Sequence, residues 1–182
     1  MNLLFSIFSL FLLVNCGTKD KTKGHNEFSK SETKKITVSG TVSQTYSYCG
    51  GARPSDEMIA GLATPKPWPG KKFHIIKGDT NTVSHKVVLD FTSDAEGKFS
   101  FELEPGTYSI ILDDQLSPPD AKKYKTELIN VDETCFNNWW AKPYYLLEVK
   151  EENIKDLNFN FHHRCFIGSD VPCLHYTGPY PP

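Results

Sequence analysis

The sequence has no apolar segment long enough to cross a membrane as a helix. Its longest mainly apolar stretch, from Leu3 to Val14, has 12 residues, whereas a transmembrane helix needs about 20. No segment keeps apolar residues at positions i, i+3, i+4 and i+7, so we predict no helix. Basic residues do not outnumber acidic ones, at 20 against 22, which disfavours a nucleic-acid-binding surface.

The motifs that mark several large enzyme classes are also missing. The chain contains no G-x-S-x-G, no H-E-x-x-H and no phosphate-binding loop. His162 and His163 are adjacent, and adjacent strand residues point to opposite faces, so one metal ion cannot easily use both. We therefore expect no enzymatic activity and no cofactor.

The segment after the apolar stretch predicts a lipid anchor. Leu13-Val14-Asn15-Cys16 resembles the lipobox of bacterial lipoproteins, in which the cysteine is acylated and becomes the first residue. We interpret residues 1–15 as a signal peptide and residues 16–35, which are rich in lysine, as a flexible lipid-anchored linker. The expected location is a membrane of the cell envelope, and the outer membrane is favoured. Whether the protein faces the periplasm or the cell surface stays open.

Residues 36–182 read as one β-rich domain. Apolar and polar residues alternate in short segments that are separated by turn residues, which is typical of half-buried strands. We predict about seven strands, in the segments 36–42, 73–76, 87–91, 99–103, 108–112, 144–149 and 157–163. This number of short strands predicts an all-β Greek-key sandwich with long loops.

Two segments carry a resemblance to a known family. The first is Val38-Ser39-Gly40-Thr41-Val42. The second, residues 94–112, contains Asp-x-x-Gly-x-Phe-x-Phe followed by Pro-Gly-x-Tyr. Together they resemble the carboxypeptidase regulatory-like domains, which are also called prealbumin-like or Cna-B-like. The resemblance covers about residues 36–112. It implies a Greek-key sandwich and, because the family is largely non-catalytic, a binding or structural module.

Enzymes of the prealbumin-like fold remain an alternative. Intradiol dioxygenases hold iron with two tyrosines and a His-x-His pair, which this chain lacks. Transthyretin-like hydrolases end in Tyr-Arg-Gly-Ser, where this chain has Tyr176-Thr177-Gly178-Pro179. The resemblance therefore supports such an enzyme less than it supports a non-catalytic module.

Two long loops are the expected ligand surface. Residues 48–70 form a Gly- and Pro-rich loop that carries Trp68, and an aromatic segment further along carries Trp139 and Trp140. Long loops in compact domains are often functional, and aromatic rings bind sugars and peptides. We predict a platform of Trp68, Trp139 and Trp140 for a glycan, a peptide or an envelope protein. The alternative is that these rings fill the core.

Four cysteines remain when Cys16 is assigned to the lipid anchor: Cys49, Cys135, Cys165 and Cys173. An even number in an exported domain predicts disulfides, with three possible pairings. We favour Cys165–Cys173, which would close the turn at Gly168, together with Cys49–Cys135, which would join the two long loops. A pairing of Cys49 with Cys165 competes, because the first and last strands are neighbours in this family.

A zinc site is the alternative use of the C-terminal cysteines. His163-x-Cys165 and Cys173-x-His175 flank one turn, and two imidazoles with two thiolates suit tetrahedral zinc. The spacing is short for a zinc site, and exported thiols are normally oxidised. We therefore place the disulfides first and keep His163, Cys165, Cys173 and His175 as the alternative.

Overall fold

The protein is described by a computed structural model, which covers residues 34–179. The predicted signal peptide and the predicted lipidation site at Cys16 lie outside the described residues. Within residues 34–179, no helix has the length and hydropathy that are needed to cross a membrane.

The predicted all-β sandwich is confirmed, and all seven predicted strands are present. Three short strands, β2, β7 and β10, add to them. The strands in chain order are β1 Ile36–Tyr46, β2 Lys66–Pro67, β3 Lys72–Lys77, β4 Val87–Thr92, β5 Lys98–Leu103, β6 Gly106–Leu112, β7 Ile129–Val131, β8 Tyr145–Val149, β9 Ile154–His163 and β10 Leu174–Tyr176.

The prediction that the chain has no helix is wrong. Within residues 34–179 three α-helices are present, α1 Asp56–Ala63, α2 Asp113–Leu116 and α3 Glu133–Ala141, with a 3₁₀ helix at Ala121–Tyr124. All are short, and α1 buries none of its residues. A helix without a buried stripe leaves no apolar periodicity in the sequence.

Two four-stranded sheets form the sandwich. In the first sheet, β1 pairs with β9 along one edge and with β5 and β2 along the other. The second sheet has the order β4-β3-β6-β8 and is antiparallel throughout. The separate pair β7 and β10 forms a third, two-stranded sheet.

An aromatic core fills the space between the two large sheets. Phe73 of β3 stacks on Phe91 of β4, with 4.9 Å between ring centroids. From the first sheet, Phe99 stacks on Phe159 at 5.4 Å. Each of these rings is at least nine-tenths buried, and burial of one such side chain stabilises the fold by about 1.5–3 kcal/mol.

The first and last long strands run parallel and in close contact. Their pairing extends from Val38–Ile154 to Tyr46–His163, with an irregularity between Val38 and Gly40. A Cβ atom on Gly40 would lie 2.0 Å from the carbonyl oxygen of Leu157. Only glycine therefore allows this approach of the two backbones, which explains the glycine in the Val38–Val42 motif.

A buried histidine fixes the outer face of the second sheet. His74 is 1% exposed, and its two ring nitrogens lie 2.7 Å from Asp90 Oδ1 of β4 and 2.6 Å from Asp113 Oδ1 of α2. The ring thus joins three elements through both of its nitrogens. No nitrogen remains for a metal ion or a substrate, so we regard His74 as structural.

A second hydrophobic cluster lies beside the sandwich. It contains Phe136 of α3 and Leu174 of β10, and the disulfide Cys135–Cys173 joins α3 to the residue just before β10. The guanidinium of Arg164 donates hydrogen bonds to the carbonyl oxygens of Val171, Pro172 and Leu174. Burial lowers its pKa, and the charge of Asp170 opposes that shift. The C-terminal tail is therefore held by a disulfide, as predicted.

The favoured pairing of the four cysteines is wrong. The structure joins Cys49 to Cys165 and Cys135 to Cys173. The first bond lies where β1 and β9 end side by side. Two residues before each cysteine, the Ser47 N–H donates a 2.9 Å hydrogen bond to the carbonyl oxygen of His163. Strand pairing therefore brings the segments that carry Cys49 and Cys165 side by side just past the strand ends, which leaves Cys173 for Cys135.

Mapping of disulfide-linked peptides should recover these two pairs and no free thiol. Replacing both cysteines of one bond by alanine should lower the free energy of unfolding. The loop-closure model gives about 5 kcal/mol for Cys49–Cys165 and about 4 kcal/mol for Cys135–Cys173, because the bonds span 116 and 38 residues. Chemical denaturation of each double variant measures these losses. A Cys165–Cys173 peptide, or bound zinc with reactive thiols, would contradict the pairing.

Candidate functional site

Trp140 belongs to the core and not to an exposed platform. It lies near the end of α3 and is 5% exposed. Its Nε1–H donates a 2.7 Å hydrogen bond to the carbonyl oxygen of Ser117. The helical geometry of this segment directs the Trp140 ring into the protein, so Trp140 is not part of the predicted platform.

The other two tryptophans are half-buried and already have partners. Trp139 packs against both hydrophobic clusters. Trp68 packs edge-on against Phe161 at 5.2 Å, and Lys71 Nζ lies 4.4 Å from the centre of its ring. Since a lysine of the chain itself covers the Trp68 ring, the structure does not present the three tryptophans as one open platform.

The cation over Trp68 is part of a shielded ion pair. Lys71 Nζ contacts the carboxylate of Asp170, and both side chains are largely buried, at 15% and 13% exposure. The nearby Tyr144 ring stacks on Phe161 at 4.9 Å. Burial first, and the negative charge of Asp170 second, raise the pKa of Tyr144 to about 12. This end of the sandwich is therefore packed and has a structural role.

The four residues of the zinc alternative do not supply a zinc site in this structure. Cys165 and Cys173 belong to different disulfides, so neither offers a thiolate. His163 Nε2 lies 3.0 Å from Gln44 Oε1, and His175 is exposed on β10. In residues 34–179, no three His, Cys, Asp or Glu side chains are close enough together to hold one metal ion.

A concave site lies instead on the outer face of the first sheet, under helix α1. We call it the α1 hollow. Its volume is about 430 Å³, and it is bounded by the ends of β1 and β9 below and by α1 above. The lining residues are Thr45, Tyr46, Ser47, Tyr48, Ile59, Leu62, Ala63, Asn160 and His162.

The floor of the α1 hollow is polar because of strand alternation. In β1 the even-numbered residues Val38 and Val42 face the core, so Thr45 lies on the opposite face. Parallel pairing places Thr45 directly beside His162 of β9. The floor is therefore built from hydroxyl, amide and imidazole groups on two rigid strands.

The roof of the α1 hollow is apolar and loosely held. Helix α1 begins at a Ser55 cap, whose Oγ accepts a 3.2 Å hydrogen bond from Met58 N–H. No residue of α1 is buried, and Met58 and Ile59 are 50% and 49% exposed. Caps alone give a helix of eight residues little stability, so α1 lies over the hollow without strong packing beneath it.

A chain of hydrogen bonds orders the polar floor. Ser47 Oγ lies 2.8 Å from His162 Nε2, and Thr45 Oγ1 lies 3.0 Å from His162 Nδ1. Thr45 also donates to Phe161 O at 3.4 Å. Because the Thr45 proton is used there, we assign Nδ1–H as the donor to Thr45 and Ser47 O–H as the donor to Nε2.

This arrangement suits hydrogen bonding to a ligand better than nucleophilic catalysis. A serine beside a histidine is the pair used for acyl transfer, but there the second ring nitrogen is held by a buried carboxylate. Here a threonine hydroxyl takes that position, and His162 is exposed. The ordered Ser47 oxygen keeps its lone pairs available to accept hydrogen bonds from a bound molecule.

Sequence reasoning missed this site. It considered His162 only as a metal ligand and treated residues 48–70 as a loop with a tryptophan. One signal was available, because every second residue from position 37 to position 47 is a serine or threonine. These residues are Thr37, Ser39, Thr41, Ser43, Thr45 and Ser47.

Comparisons with known proteins do not place the chain in a family. No family model matches it, and no curated protein matches it. A solved structure of the Bacillus anthracis TIE protein is similar with a TM-score of 0.35 and 13% identity, over 71% of this chain and 17% of that chain. The present chain therefore spans less than a fifth of that protein, and a likeness this distant carries no inference about function.

Replacing Trp140 by alanine should lower the free energy of unfolding by about 3–5 kcal/mol, because the change leaves a cavity in the core. Leu146→Ala is the matched control, since Leu146 is 53% exposed and should change stability by about 0.5 kcal/mol or less. Chemical denaturation of both variants gives the two values. A Trp140 variant as stable as the control would show that the ring is not packed.

Proposed function

We propose that this protein is a lipid-anchored envelope protein whose β-sandwich is a non-enzymatic binding module, with the α1 hollow as its ligand site. Three features support the location. Cys16 follows a lipobox-like segment, a lysine-rich linker follows Cys16, and the domain carries two disulfides. Disulfides are typical of oxidising compartments outside the cytoplasm.

The observation that carries the binding role is the α1 hollow itself. Ligand sites are usually concave, with apolar walls and a few fixed polar groups that determine orientation. The hollow has an apolar roof from Ile59 and Leu62, and its floor presents the ordered Ser47–His162 pair. The disulfide Cys49–Cys165 fixes the two strands that supply this floor, so its polar groups are preorganised.

The position of the hollow suits a protein that is held at its N-terminal side. The described domain begins at Lys34, just before β1, and the hollow lies at the other end of that strand. An 11-residue strand is about 35 Å long. A ligand can therefore enter the hollow at a distance from the point where the linker joins the domain.

We also propose that the domain is of the carboxypeptidase regulatory-like type. Two of its motifs have a physical basis that supports the assignment. Asp94 Oδ1 accepts hydrogen bonds from Glu96 N–H and Lys98 N–H, and Gly97 has a φ of +74°, so the Asp-x-x-Gly motif makes a tight turn. The Tyr108 hydroxyl donates to Glu104 O at 3.1 Å, which is the bond of a tyrosine corner.

Replacing Cys16 by alanine should abolish acylation and move the protein from the membrane fraction to the soluble fraction, because the acyl chains supply the membrane affinity. Metabolic labelling with palmitate and fractionation of cells measure both effects. Ser29→Ala in the predicted linker, which leaves every cysteine in place, is the control and should keep both the label and the membrane location. If Cys16→Ala still sediments with membranes and the wild type takes up no palmitate, the anchor proposal fails.

Filling the α1 hollow should abolish ligand binding without unfolding the domain. Ala63 lines the hollow at the end of α1, so Ala63→Trp places an indole where the ligand would lie. Saturation-transfer NMR with a panel of sugars, amino acids and short peptides measures binding, and thermal unfolding measures stability. Thr107→Trp is the matched control, because Thr107 is exposed on the second sheet.

We expect at least one panel compound to give a signal that Ala63→Trp removes and Thr107→Trp keeps. The unfolding free energies of both variants should stay within about 0.5 kcal/mol of the wild type, because both positions are exposed. Compounds that bind equally to all three proteins would place the ligand site elsewhere. A wild type that binds no compound of the panel would contradict the proposal.

A further inference from the structure

A second hollow lies on the same outer face of the first sheet. Its volume is about 550 Å³, against about 430 Å³ for the α1 hollow. Its floor includes Ser39 and Thr41 of β1, Ser100 of β5 and Asn158 of β9. Two concave regions therefore share the strands β1 and β9.

The strip of sheet that connects the two hollows is continuous. We call it the seam; it consists of the outward-facing residues of β1 and β9. Strand pairing places Thr41 beside Asn158, Ser43 beside Asn160 and Thr45 beside His162. From Ser39 to Ser47 the seam follows eight residue steps, or about 26 Å of strand. A ligand that occupies both hollows must therefore be long and extended.

The seam is rich in groups that both donate and accept hydrogen bonds. Serine and threonine hydroxyls, and asparagine amides, have this double capacity, which matches the hydroxyl groups of sugars. Within residues 34–179, the side chains of Ser39, Ser43 and Asn160 make no hydrogen bond to protein, unlike Thr41, which donates to Asn158 Oδ1 at 2.6 Å. These three side chains are available to a ligand.

The position of the seam on a sheet face argues against an extended peptide. Peptides that join β-proteins in extended form add to a sheet edge, where backbone N–H and C=O groups are free. On this face the backbone groups of β1 are used by pairing with β5 and β9. A ligand on the seam can form hydrogen bonds only with side chains, so it needs hydroxyl or amide groups at regular spacing along its length.

The charges around the seam favour an uncharged ligand. The outward side chains of β1 and of β9 between Asn158 and His162 are hydroxyl, amide and imidazole groups. Lys98 lies at the rim of the second hollow together with Asp94 and Asp156, so the charges there are mixed in sign. Among the described residues, Lys98 is the only lysine or arginine that lines either hollow, so the two hollows offer no pair of cations to hold a carboxylate, sulfate or phosphate chain. At the α1 hollow, Ile59, Leu62 and Tyr48 offer apolar contact to the C–H face of a sugar ring.

We propose that the seam binds a linear, uncharged polysaccharide whose chain runs along β1 and β9 from the second hollow to the α1 hollow. This inference rests on the proposed binding function and names its ligand class. The chain lies parallel to the two strands, its hydroxyl groups bind the seam residues, and one terminal or internal sugar occupies the α1 hollow.

The test compares ligands of different length and charge. A panel of neutral linear hexasaccharides of glucose, xylose, mannose and N-acetylglucosamine is titrated by calorimetry, together with the matching disaccharides and an alginate hexasaccharide. Three variants separate the parts of the seam. Ser100→Trp fills the second hollow, Ala63→Trp fills the α1 hollow, and Thr107→Trp on the second sheet is the control.

We expect at least one neutral hexasaccharide to bind at least tenfold more tightly than its disaccharide, and alginate not to bind. Ser100→Trp should reduce the affinity for that hexasaccharide to the level of the disaccharide, and Ala63→Trp should remove binding of both. Thr107→Trp should change neither affinity. This pattern requires a long ligand that uses both hollows, because Ser100→Trp and Ala63→Trp each block one hollow and Thr107→Trp blocks neither.

Three other results would overturn the inference. One is that no neutral hexasaccharide binds, and a second is that alginate binds as tightly as the best neutral chain. The third is that Ser100→Trp leaves the hexasaccharide affinity unchanged. If one of these results is obtained but a peptide or monosaccharide still binds in an Ala63-dependent manner, the proposed function stands and only this inference fails. If no compound of any class depends on Ala63, both proposals fail together.

Discussion

The parallel pairing of β1 with β9 is the constraint on which the rest of this structure depends. It brings the first and last long strands side by side, and it requires a glycine at position 40, where the two backbones touch. The register places Phe159 and Phe161 of β9 in the core beside Val42 of β1. If β9 slipped by one residue relative to β1, its core-facing side chains would turn to the outer face. The register therefore determines both the aromatic core and the polar seam. The same pairing brings the segments that carry Cys49 and Cys165 together, and that disulfide then fixes the strand ends.

Much of the fold could be predicted because period-two alternation is a local signal. All seven long strands were visible in the sequence. The helices were missed because α1 buries no residue and α3 buries only Phe136 and Trp140. Their caps were the readable signal, since Ser55 and Asp132 are typical N-cap residues and both make cap hydrogen bonds. Cysteine pairing depends on which strands meet in space, which spacing along the chain does not determine.

The candidate site could be predicted only in part. The hydroxyl residues at alternate positions of β1 were readable, but their partner His162 comes from a strand more than a hundred residues later. Nothing local indicates that α1 lies over this face and not over the other sheet. The tryptophans attracted attention because exposed aromatic rings often bind ligands, yet tertiary packing placed Trp140 in the core and covered Trp68 with Lys71.

Native-state hydrogen exchange tests most directly the proposal that α1 covers the candidate ligand site without being part of the packed core. The amides of α1 should exchange through local opening, with a free energy far below that of global unfolding. The amides of β1 and β9 under the hollow should exchange only on global unfolding, because both strands pair in the core sheet. Protection of α1 equal to that of β1 would contradict the account, since it would show that the helix is a fixed part of the sandwich.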